Sequence, residues 1–374
     1  MLRRTKALGV TLALLCGCPD TDAAASASLH GSPGGADASS NLASDEHVLF
    51  VPTFGTRTAD GWHAPVEAWV FEPEEDGPVR AGMVKLVEEA MQTQLDDEAA
   101  ARVATNIRPF MVDNERGKTL VVQAADVAAP ACTSKANGHC AGTLTLASDA
   151  HGTVPVAVLL PSKDRRRFEG RVHLLEDEGV SVLSDIDDTI KVTEVHDKKR
   201  LVANTFARPF RATAGVPELY RRWARQGAAF HYVSNSPLPL LGALERFIED
   251  EGYPKGSVTL KMFRWVDGSF LDLLDAPENH KQAAIEAHID RFESRRFVLV
   301  GDTGERDPEI YAAVARKYGD RIARVYLRDT GSMSADALEA RLDAVYEGLP
   351  AQRWTVFTDG SEIHDDLPSS SSSP

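Results

Sequence analysis

The sequence predicts an α/β protein in which a Rossmann-like, doubly wound parallel sheet follows a smaller β-rich, sandwich-like domain. From residue 178 onward, short apolar runs alternate with segments of helical periodicity, which is typical of parallel strands joined by helices. Between residues 46 and 177, β-branched and apolar runs are separated by turn residues, and helical periodicity is confined to residues 81–104. We therefore expect the first domain to carry one or two helices.

Each region contributes a defined series of predicted elements. In the β-rich domain the predicted strands are residues 47–51, 65–71, 119–122, 143–146, 154–160 and 170–175. In the α/β domain the predicted strands are residues 179–184, 230–233, 258–262, 296–300 and 324–327, and the predicted helices are 215–226, 240–251, 280–289 and 308–318. Because ligands of such sheets bind beyond the carboxyl ends of the strands, the residues that follow each strand are the candidates for a site.

The chain of 374 residues is long enough for two domains with flanking segments. The predicted segments are a signal with a lipobox at 1–18, a flexible tether at 19–45, the β-rich domain at 46–177, the catalytic domain at 178–355 and a disordered tail at 356–374. The formal charge of −15 argues against nucleic acid as a partner. It also argues against broad docking on anionic lipid, although a local basic patch can still do so. No protein partner is predicted.

The N-terminus has the pattern of an export signal. Arg3, Arg4 and Lys6 precede a short apolar run at residues 7–15, which is too short to span a bilayer. The run ends in Leu-Cys-Gly-Cys, which resembles the bacterial lipoprotein cleavage box with Cys18 as the lipid-bearing residue. The alternative is an ordinary secretory signal. We expect export across the inner membrane and a lipid anchor at the periplasmic face or the cell surface.

The remaining cysteines, Cys132 and Cys140, flank a loop that contains glycine and asparagine. In an oxidising compartment a disulfide between them is expected, and the alternative is a pair of free thiols. A zinc site is disfavoured because few partner ligands lie nearby in the sequence.

An acidic cluster, Ser-Asp-Ile-Asp-Asp-Thr, follows the first predicted strand of the α/β domain. Asp185 and Asp187 would project to the same side of an extended chain, where their repulsion favours a divalent cation or a shared proton. Carboxylate oxygens suit Mg²⁺, and a carboxylate can also act as a nucleophile or move protons. The alternative is an acidic helix cap. Asp188 is predicted to be structural.

Further polar residues follow other predicted strands. Asp302 follows the strand at 296–300 and could supply a metal ligand, whereas Asp307 could be a ligand or a cap for the helix that begins at Pro308. Ser234 and Asn235 follow the strand at 230–233 and could donate hydrogen bonds to a phosphoryl oxygen, or form a simple turn. A compensating positive charge could come from Lys281 or from Lys261.

At these residues the sequence resembles the haloacid-dehalogenase-like hydrolases. More narrowly, it resembles the phosphatidate phosphatase family named for the yeast actin-patch enzyme. The resemblance covers roughly residues 170–330 and rests on motifs in a fixed order, which are Ser-Asp-Ile-Asp-Asp-Thr-Ile-Lys-Val, Tyr-Val-Ser-Asn-Ser-Pro, His-Lys and Gly-Asp-Thr-Gly-Glu-Arg-Asp-Pro. At Lys261 the chain departs from the Leu-Arg pair usual in the family.

The resemblance implies a role for each matched residue. Asp185 would be the nucleophile, and Asp187 the general acid and base and a contributor to Mg²⁺ binding. Ser234, Asn235 and Lys281 would hold the phosphoryl oxygens, and the His-Lys pair favours Lys281 over Lys261. Asp302 would ligate Mg²⁺ with Asp307 close by. The intact set argues against a catalytically inactive binding module.

The implied function is a phosphatase of the phosphoric monoester class that hydrolyses phosphatidate to diacylglycerol and phosphate. A lipid anchor at Cys18 would hold such a domain beside a lipid phosphate. The alternative is a phosphatase for soluble or protein-bound phosphate esters. The resemblance also implies that the reaction passes through an aspartyl-phosphate.

Overall fold

The computed structural model describes residues 39–73, 78–262 and 280–368, which belong to one compact unit. The predicted Cys18 lipidation, and most of the predicted tether, lie outside the described residues. Within the described part of the chain, no helix has both the length and the apolar composition that crossing a membrane would require.

The strands and helices alternate regularly only in the second half of the chain. The strands are β1 (His47–Val51), β2 (Thr53–Thr58), β3 (Gly61–Pro73), β4 (Val112–Asn114), β5 (Thr119–Ala124), β6 (Val127–Thr133), β7 (His139–Leu146), β8 (Thr153–Val158), β9 (Glu169–Leu175), β10 (Val180–Ser184), β11 (Ala229–Pro237), β12 (Ser257–Lys261), β13 (Arg296–Asp302), β14 (Ile322–Arg328) and β15 (Trp354–Phe357). The α-helices are α1 (Pro78–Met91), α2 (Asp97–Ile107), α3 (Lys198–Val202), α4 (Val216–Arg225), α5 (Leu241–Asp250), α6 (His280–Ile289), α7 (Asp307–Tyr318) and α8 (Ala335–Val345).

The first nine strands form one mixed sheet in the order β1-β3-β2-β9-β8-β5-β6, with β4 and β7 both paired to β3. The pair β2–β9 is parallel and the other pairs are antiparallel. The sheet curls until β6 lies against β7, where a disulfide joins Cys132 to Cys140 with their Cα atoms 5.5 Å apart. The concave face encloses an apolar core that includes Trp62, Leu120 and Leu144. The strands predicted for a sandwich are thus present in one continuous sheet.

The helical segment predicted at residues 81–104 is two helices, α1 and α2. The break follows from the sequence, because Asp96 caps α2 by accepting a hydrogen bond from the Ala99 N–H at 2.8 Å. The helix α2 then packs against residues 203–207, a π-helical turn of the α/β region. The Asn106 side-chain amide donates to the Phe206 carbonyl at 3.0 Å, and the Phe110 and Phe206 rings lie 5.7 Å apart. This contact joins the β-rich region to the α/β region.

The second sheet is parallel throughout, in the order β12-β11-β10-β13-β14-β15. Its central strand β10 is buried at every residue, as expected of a strand covered on both faces. The predicted strands and helices of this region are present within a few residues, and α3, α8 and β15 are additional. The carboxyl ends of β10, β11 and β13 therefore meet at one edge of the sheet.

The chain stays packed beyond residue 355, where the sequence predicts the end of the catalytic domain. Residue 355 lies inside β15, and Phe357 and Ile363 are buried. The Arg222 guanidinium donates to the Ile363 carbonyl and so holds this segment against α4. The described part of the predicted tail, up to residue 368, therefore differs from the prediction of disorder.

Candidate active site

The site lies where β10, β11 and β13 end. Asp185 follows β10 directly, Ser234 lies near the end of β11, and Asp302 is the last residue of β13. The Asp185 N–H donates to the Val300 carbonyl at 2.9 Å, which continues the pairing of β10 with β13 past the end of the strand. The parallel register thus brings residues that are distant in sequence to one edge of the sheet.

Asp185 is buried and contacts a cation and a hydroxyl. Its Oδ1 lies 2.8 Å from Lys281 Nζ, and its Oδ2 accepts a hydrogen bond from the Thr189 hydroxyl at 2.9 Å. Burial raises the pKa of Asp185 well above its usual range, and the Lys281 charge opposes that effect. A cation held close to this carboxylate would favour its ionised form, which is the form that can act as a nucleophile.

Lys281 bridges two buried carboxylates. Its ammonium contacts Asp185 and also Oδ1 of Asp307, the first residue of α7. Burial alone would lower the pKa of Lys281, but the charges of Asp185 and Asp307 raise it well above its usual value, so the group is cationic. Lys261, the other lysine considered from the sequence, is the last residue of β12.

Asp302 carries a carboxylate oxygen that is available for a ligand. Its Oδ1 accepts hydrogen bonds from the N–H groups of Gly304 and Glu305 at 2.6 and 2.9 Å. Its Oδ2 is buried and has no hydrogen-bond partner among residues 39–73, 78–262 and 280–368. A buried carboxylate oxygen without a partner is costly unless a cation or a proton satisfies it.

Three carboxylates form a candidate metal centre. Asp185, Asp302 and Glu305 each offer an oxygen, and these oxygens lie within 4.8 Å of one another. An all-oxygen set of this kind fits Mg²⁺. Burial raises the pKa of Glu305 to about 7, with Lys281 opposing and Asp307 adding to the rise. Glu305 was not predicted from the sequence as a site residue. The signal that could have indicated it is its position two residues before Asp307, within the same motif.

Asp307 lies next to this centre but contacts other groups. Its Oδ1 contacts Lys281, and its Oδ2 accepts the N–H of Asp302 at 3.2 Å. The approach depends on Gly301, because a Cβ there would lie 2.1 Å from Asp307 Oδ2. Asp307 is thus the first residue of its helix and a partner of the lysine in this structure. Its predicted role as a metal ligand stays a prediction.

Asp187 is held by a separate set of donors. Its Oδ1 lies 2.9 Å from Lys191 Nζ and accepts from the Thr193 hydroxyl at 2.8 Å. Its Oδ2 accepts from the hydroxyls of Ser234 and Ser236 at 3.0 and 2.7 Å. Burial would raise the pKa of Asp187, but Lys191 and these hydrogen bonds lower it to about 2. Asp187 is therefore ionised here and can accept a proton.

Ser234 and Asn235 lie beside Asp187. The Ser234 hydroxyl donates to Asp187, so contact with a phosphoryl oxygen requires that hydroxyl to rotate. The Asn235 amide oxygen is buried and has no hydrogen-bond partner within the described chain. Their predicted roles in phosphate binding stay predictions.

Asp188 organises the loop that follows the acidic cluster. Its carboxylate accepts the N–H groups of Thr193, Glu194 and Val195 at 2.7–2.8 Å. Its carbonyl accepts a hydrogen bond from the Arg328 guanidinium at 2.7 Å. This is the structural role expected of Asp188 from the sequence, and it fixes the loop that delivers Thr193 to Asp187.

Lys191, Thr193 and Ser236 are site residues that sequence reasoning missed. Lys191 is 1% exposed although it is a lysine, and it lies 4.9 Å above the Phe210 ring. The available signal was its place between two apolar residues, Ile190 and Val192, four positions after Asp187. Such a lysine is rarely buried unless it is paired with a carboxylate.

The fold and the site define an α/β protein with a carboxylate-rich candidate metal centre and a buried lysine at the ends of parallel strands. Residues 180–329 match the family model described as "Phosphatidate phosphatase APP1, catalytic domain". The narrower resemblance, to the phosphatidate phosphatase family, is confirmed over this segment. Residues 180–329 are therefore similar to the catalytic domain of this family.

Two curated yeast proteins are similar to this chain. The phosphatidate phosphatase APP1 of Saccharomyces cerevisiae is 32% identical over 163 residues, covering 42% of this chain and 27% of that protein. An uncharacterized protein of Schizosaccharomyces pombe is 32% identical over 184 residues, covering 47% of this chain and 30% of that protein. The chain thus spans less than a third of the length of these relatives.

Among solved structures, a Photobacterium 2,6-sialyltransferase aligns with a TM-score of 0.23 at 9% identity, covering 64% of this chain and 45% of that one. A likeness this weak carries no argument about this chain.

Proposed function

We propose that the protein is a Mg²⁺-dependent phosphatase that hydrolyses phosphatidate to diacylglycerol and phosphate. The observation that carries the proposal is the buried Asp185 carboxylate, which lies against Lys281 and near the free Asp302 oxygen, inside the segment that matches the catalytic-domain family. We also propose that the parallel sheet has the doubly wound, haloacid-dehalogenase-like architecture. The strand order and the position of the site at the carboxyl ends of the strands support this.

The proposed reaction has two displacements at phosphorus. Asp185 forms an Oδ–P bond while the P–O bond to diacylglycerol breaks, and the leaving oxygen takes a proton from Asp187. Water then attacks phosphorus, gives a proton back to Asp187 and breaks the Oδ–P bond, so that inorganic phosphate leaves. Lys281, Ser234 and Asn235 hold the phosphoryl oxygens during both displacements.

Asp187 has to gain a proton before the first displacement, since its pKa is about 2 in this state. Its donors include the Ser234 hydroxyl, which can donate only one hydrogen bond at a time. Rotation of that hydroxyl toward a phosphoryl oxygen removes one donor from Asp187. Substrate binding would thereby favour the protonated carboxylate.

The metal would be held by Asp185, Asp302 and Glu305, whose oxygens are close together. When bound there, Mg²⁺ would offset the negative charge of the phosphoryl group. The sequence also assigns Asp187 and Asp307 to the metal, and we propose that Asp187 contributes its backbone carbonyl and that Asp307 lies close by.

The proposed location is the periplasmic face or the cell surface, with Cys18 carrying lipid. The leader at residues 1–18 and the disulfide between Cys132 and Cys140 support an exported protein. A lipid anchor would keep the domain beside a lipid phosphate, which supports phosphatidate over a soluble ester.

Phosphate release from a panel of esters tests the proposal. The panel contains phosphatidate in mixed micelles, lysophosphatidate and soluble monoesters, each with and without Mg²⁺. We expect release from phosphatidate only with Mg²⁺, and no release from Asp185→Asn. The matched control is Asp197→Asn, which removes a partly exposed carboxylate that caps α3; it should retain activity.

The outcomes separate the candidate functions. Release only from soluble esters would overturn the lipid substrate and support the alternative phosphatase. If no ester releases phosphate in a Mg²⁺-dependent way, the proposal of an enzyme is overturned, and a binding module remains as the alternative.

A further inference from the structure

The connector between β8 and β9, residues 159–168, presents an unusual group of cations. Lys163, Arg165 and Arg167 are exposed. Their side chains form no hydrogen bond or ion pair with the rest of the described chain. Three such cations within five residues form a local positive group in a chain whose formal charge is −15. Such a group is free to bind an anionic partner.

Arg166 and its contacts give the connector a fixed conformation. The Arg166 Nε donates to both carboxylate oxygens of Asp164 at 3.1 Å, and its Nη1 donates to the Glu46 carbonyl. Its guanidinium also lies 5.5 Å above the Phe168 ring. The Val158 N–H donates to the Phe168 carbonyl at 3.0 Å and closes the base of the connector. The three free cations are thus presented by an ordered loop, which lowers the entropic cost of binding.

The chain enters the fold beside this connector. The Ser40 N–H donates to the Leu159 carbonyl at 2.8 Å, and Arg166 holds the Glu46 carbonyl. The chain that follows a lipid on Cys18 would therefore join the domain next to the exposed cations. The residues between Cys18 and Ser40 can span at most about 80 Å. A tether of this length alone would leave the orientation of the domain undetermined.

A further cation extends the group toward the active site. Arg108 is exposed, and the pKa of His47 is lowered by partial burial and then by the charges of Arg166 and Arg108. Residues 108–110 form a 3₁₀ turn that contacts the turn at residues 238–240. That second turn directly follows β11, whose end carries Ser234 and Ser236. Arg108 therefore lies on a turn that contacts the turn leading away from the end of β11.

We infer that these residues form a docking surface for an anionic phospholipid bilayer. We call it the basic face, defined by Arg108, Lys163, Arg165 and Arg167. An anionic membrane attracts exposed Lys and Arg through charge alone. Protein–protein interfaces usually have an apolar or aromatic centre instead. Among the described residues the large exposed apolar side chains are Leu86 and Met262, and neither belongs to this face.

The basic face goes beyond the proposed function, since docking needs no turnover. A lipid anchor only keeps the domain near the membrane. The basic face would also set the orientation of the domain, with one side turned toward the membrane. A chain that repels anionic surfaces overall needs such a local patch to approach them.

Vesicle flotation of the full-length chain tests this inference. All proteins carry Cys18→Ser, so that no acyl chain dominates the partitioning. One vesicle is pure phosphatidylcholine and the other is an equal mixture of phosphatidylcholine and phosphatidylglycerol. The test variant is Arg165→Glu with Arg167→Glu. The matched control is Arg225→Glu with Lys317→Glu, which makes the same charge change on exposed residues of α4 and α7.

We expect the anionic vesicles to bind the parent chain better than the neutral ones, with the preference weakening at high salt. The test variant should lose at least about tenfold in partitioning to anionic vesicles, and the control should retain it. Equal loss in both variants, or equal binding to both vesicles, would overturn the inference. Capture of the parent chain by soluble polyglutamate but not by anionic vesicles would also overturn it, in favour of an acidic protein partner.

Hydrolysis of a soluble phosphate ester by the same proteins separates this inference from the proposed function. The test variant should hydrolyse the ester as the parent does, since neither substituted residue touches the site. If the parent hydrolyses no ester, the proposed function fails, while the flotation result still decides the docking surface.

Discussion

The β-rich region and the α/β region bury their strands in different ways. Strands such as β7 and β8 alternate buried and exposed residues, because one face of the curled sheet meets solvent. In the parallel sheet, β10 is buried throughout, and β13 is buried at every residue after Arg296. The polar side chains that form the candidate site follow or end these strands.

The two regions also use buried charge differently. In the β-rich region Lys118 pairs with Glu46 and links β5 to the segment before β1. In the α/β region Lys281 joins two buried carboxylates, one of which is the proposed nucleophile. Similar lysine–carboxylate contacts are thus proposed to serve stability in the β-rich region and chemistry in the α/β region.

Replacement of each lysine by methionine tests this comparison most strongly. Lys281→Met removes the charge next to Asp185, so we expect kcat for the best ester to fall by at least about 10³-fold. Lys118→Met should leave kcat unchanged and lower the free energy of unfolding by roughly 1–3 kcal/mol, because Glu46 loses its partner. Steady-state kinetics and urea unfolding of both variants provide the readouts. Equal kinetic losses would contradict the distinction.

Removal of the disulfide should affect the β-rich region alone. The bridge between Cys132 and Cys140 closes a loop with a sequence separation of 8. Cys132→Ala with Cys140→Ala should lower the free energy of unfolding by about 2–3 kcal/mol, since the unfolded chain gains entropy. Hydrolysis of a soluble ester should be retained at temperatures where the variant is folded. Insensitivity of the wild-type unfolding curve to reductant would contradict this expectation.

A histidine at the junction of the two regions predicts a pH effect. Burial lowers the pKa of His288 to about 4, and its ring lies 5.1 Å from Phe54 of β2. The unfolded chain takes up this proton near pH 6.5, so the contribution to stability is complete above that pH and is lost as the pH falls toward 4. Between pH 7 and pH 5 the loss should be about 2 kcal/mol.

The comparison of wild type with His288→Leu isolates this contribution. Glu305 acts in the opposite direction, because its raised pKa of about 7 means that the folded state gains a proton first on acidification. That term is common to both proteins and cancels in the difference. Urea unfolding at both pH values should show a smaller loss on acidification in His288→Leu, and parallel losses would contradict the assignment.

The sequence predicted the parts of the site that depend on strand ends. Asp185 and Asp302 each follow or end an apolar run, and the parallel order of β10 and β13 brings them together. The acidic cluster, Ser234 and Lys281 were identified in the same way or by resemblance. In the β-rich region the prediction was incomplete, since β3 extends to thirteen residues and β2 was not predicted. The apolar pattern of these two strands depends on which neighbouring elements cover each face of the sheet.

Residues placed by turns could not be predicted in this way. Glu305 reaches the candidate metal centre because Asp302 accepts the N–H groups of Gly304 and Glu305 and so sets the turn. Lys191 reaches Asp187 because the Asp188 carboxylate fixes the loop at residues 193–195. Such contacts depend on the folded backbone, whereas the local sequence supports a simple acidic loop equally well.

The smallest expected effect concerns the third ligand of the candidate metal centre, for which Glu305 and Asp307 are the two candidates. Glu305→Gln removes a carboxylate whose oxygen lies within 4.8 Å of those of Asp185 and Asp302, so Mg²⁺ affinity should fall at least about tenfold. Asp307→Asn should change Mg²⁺ affinity less and kcat more, because Asp307 contacts Lys281. Calorimetric titration with Mg²⁺ measures affinity without turnover. A greater loss of affinity in Asp307→Asn would assign the third ligand to Asp307, which is one of the two roles that the sequence allows it, and would move Glu305 out of the candidate metal centre.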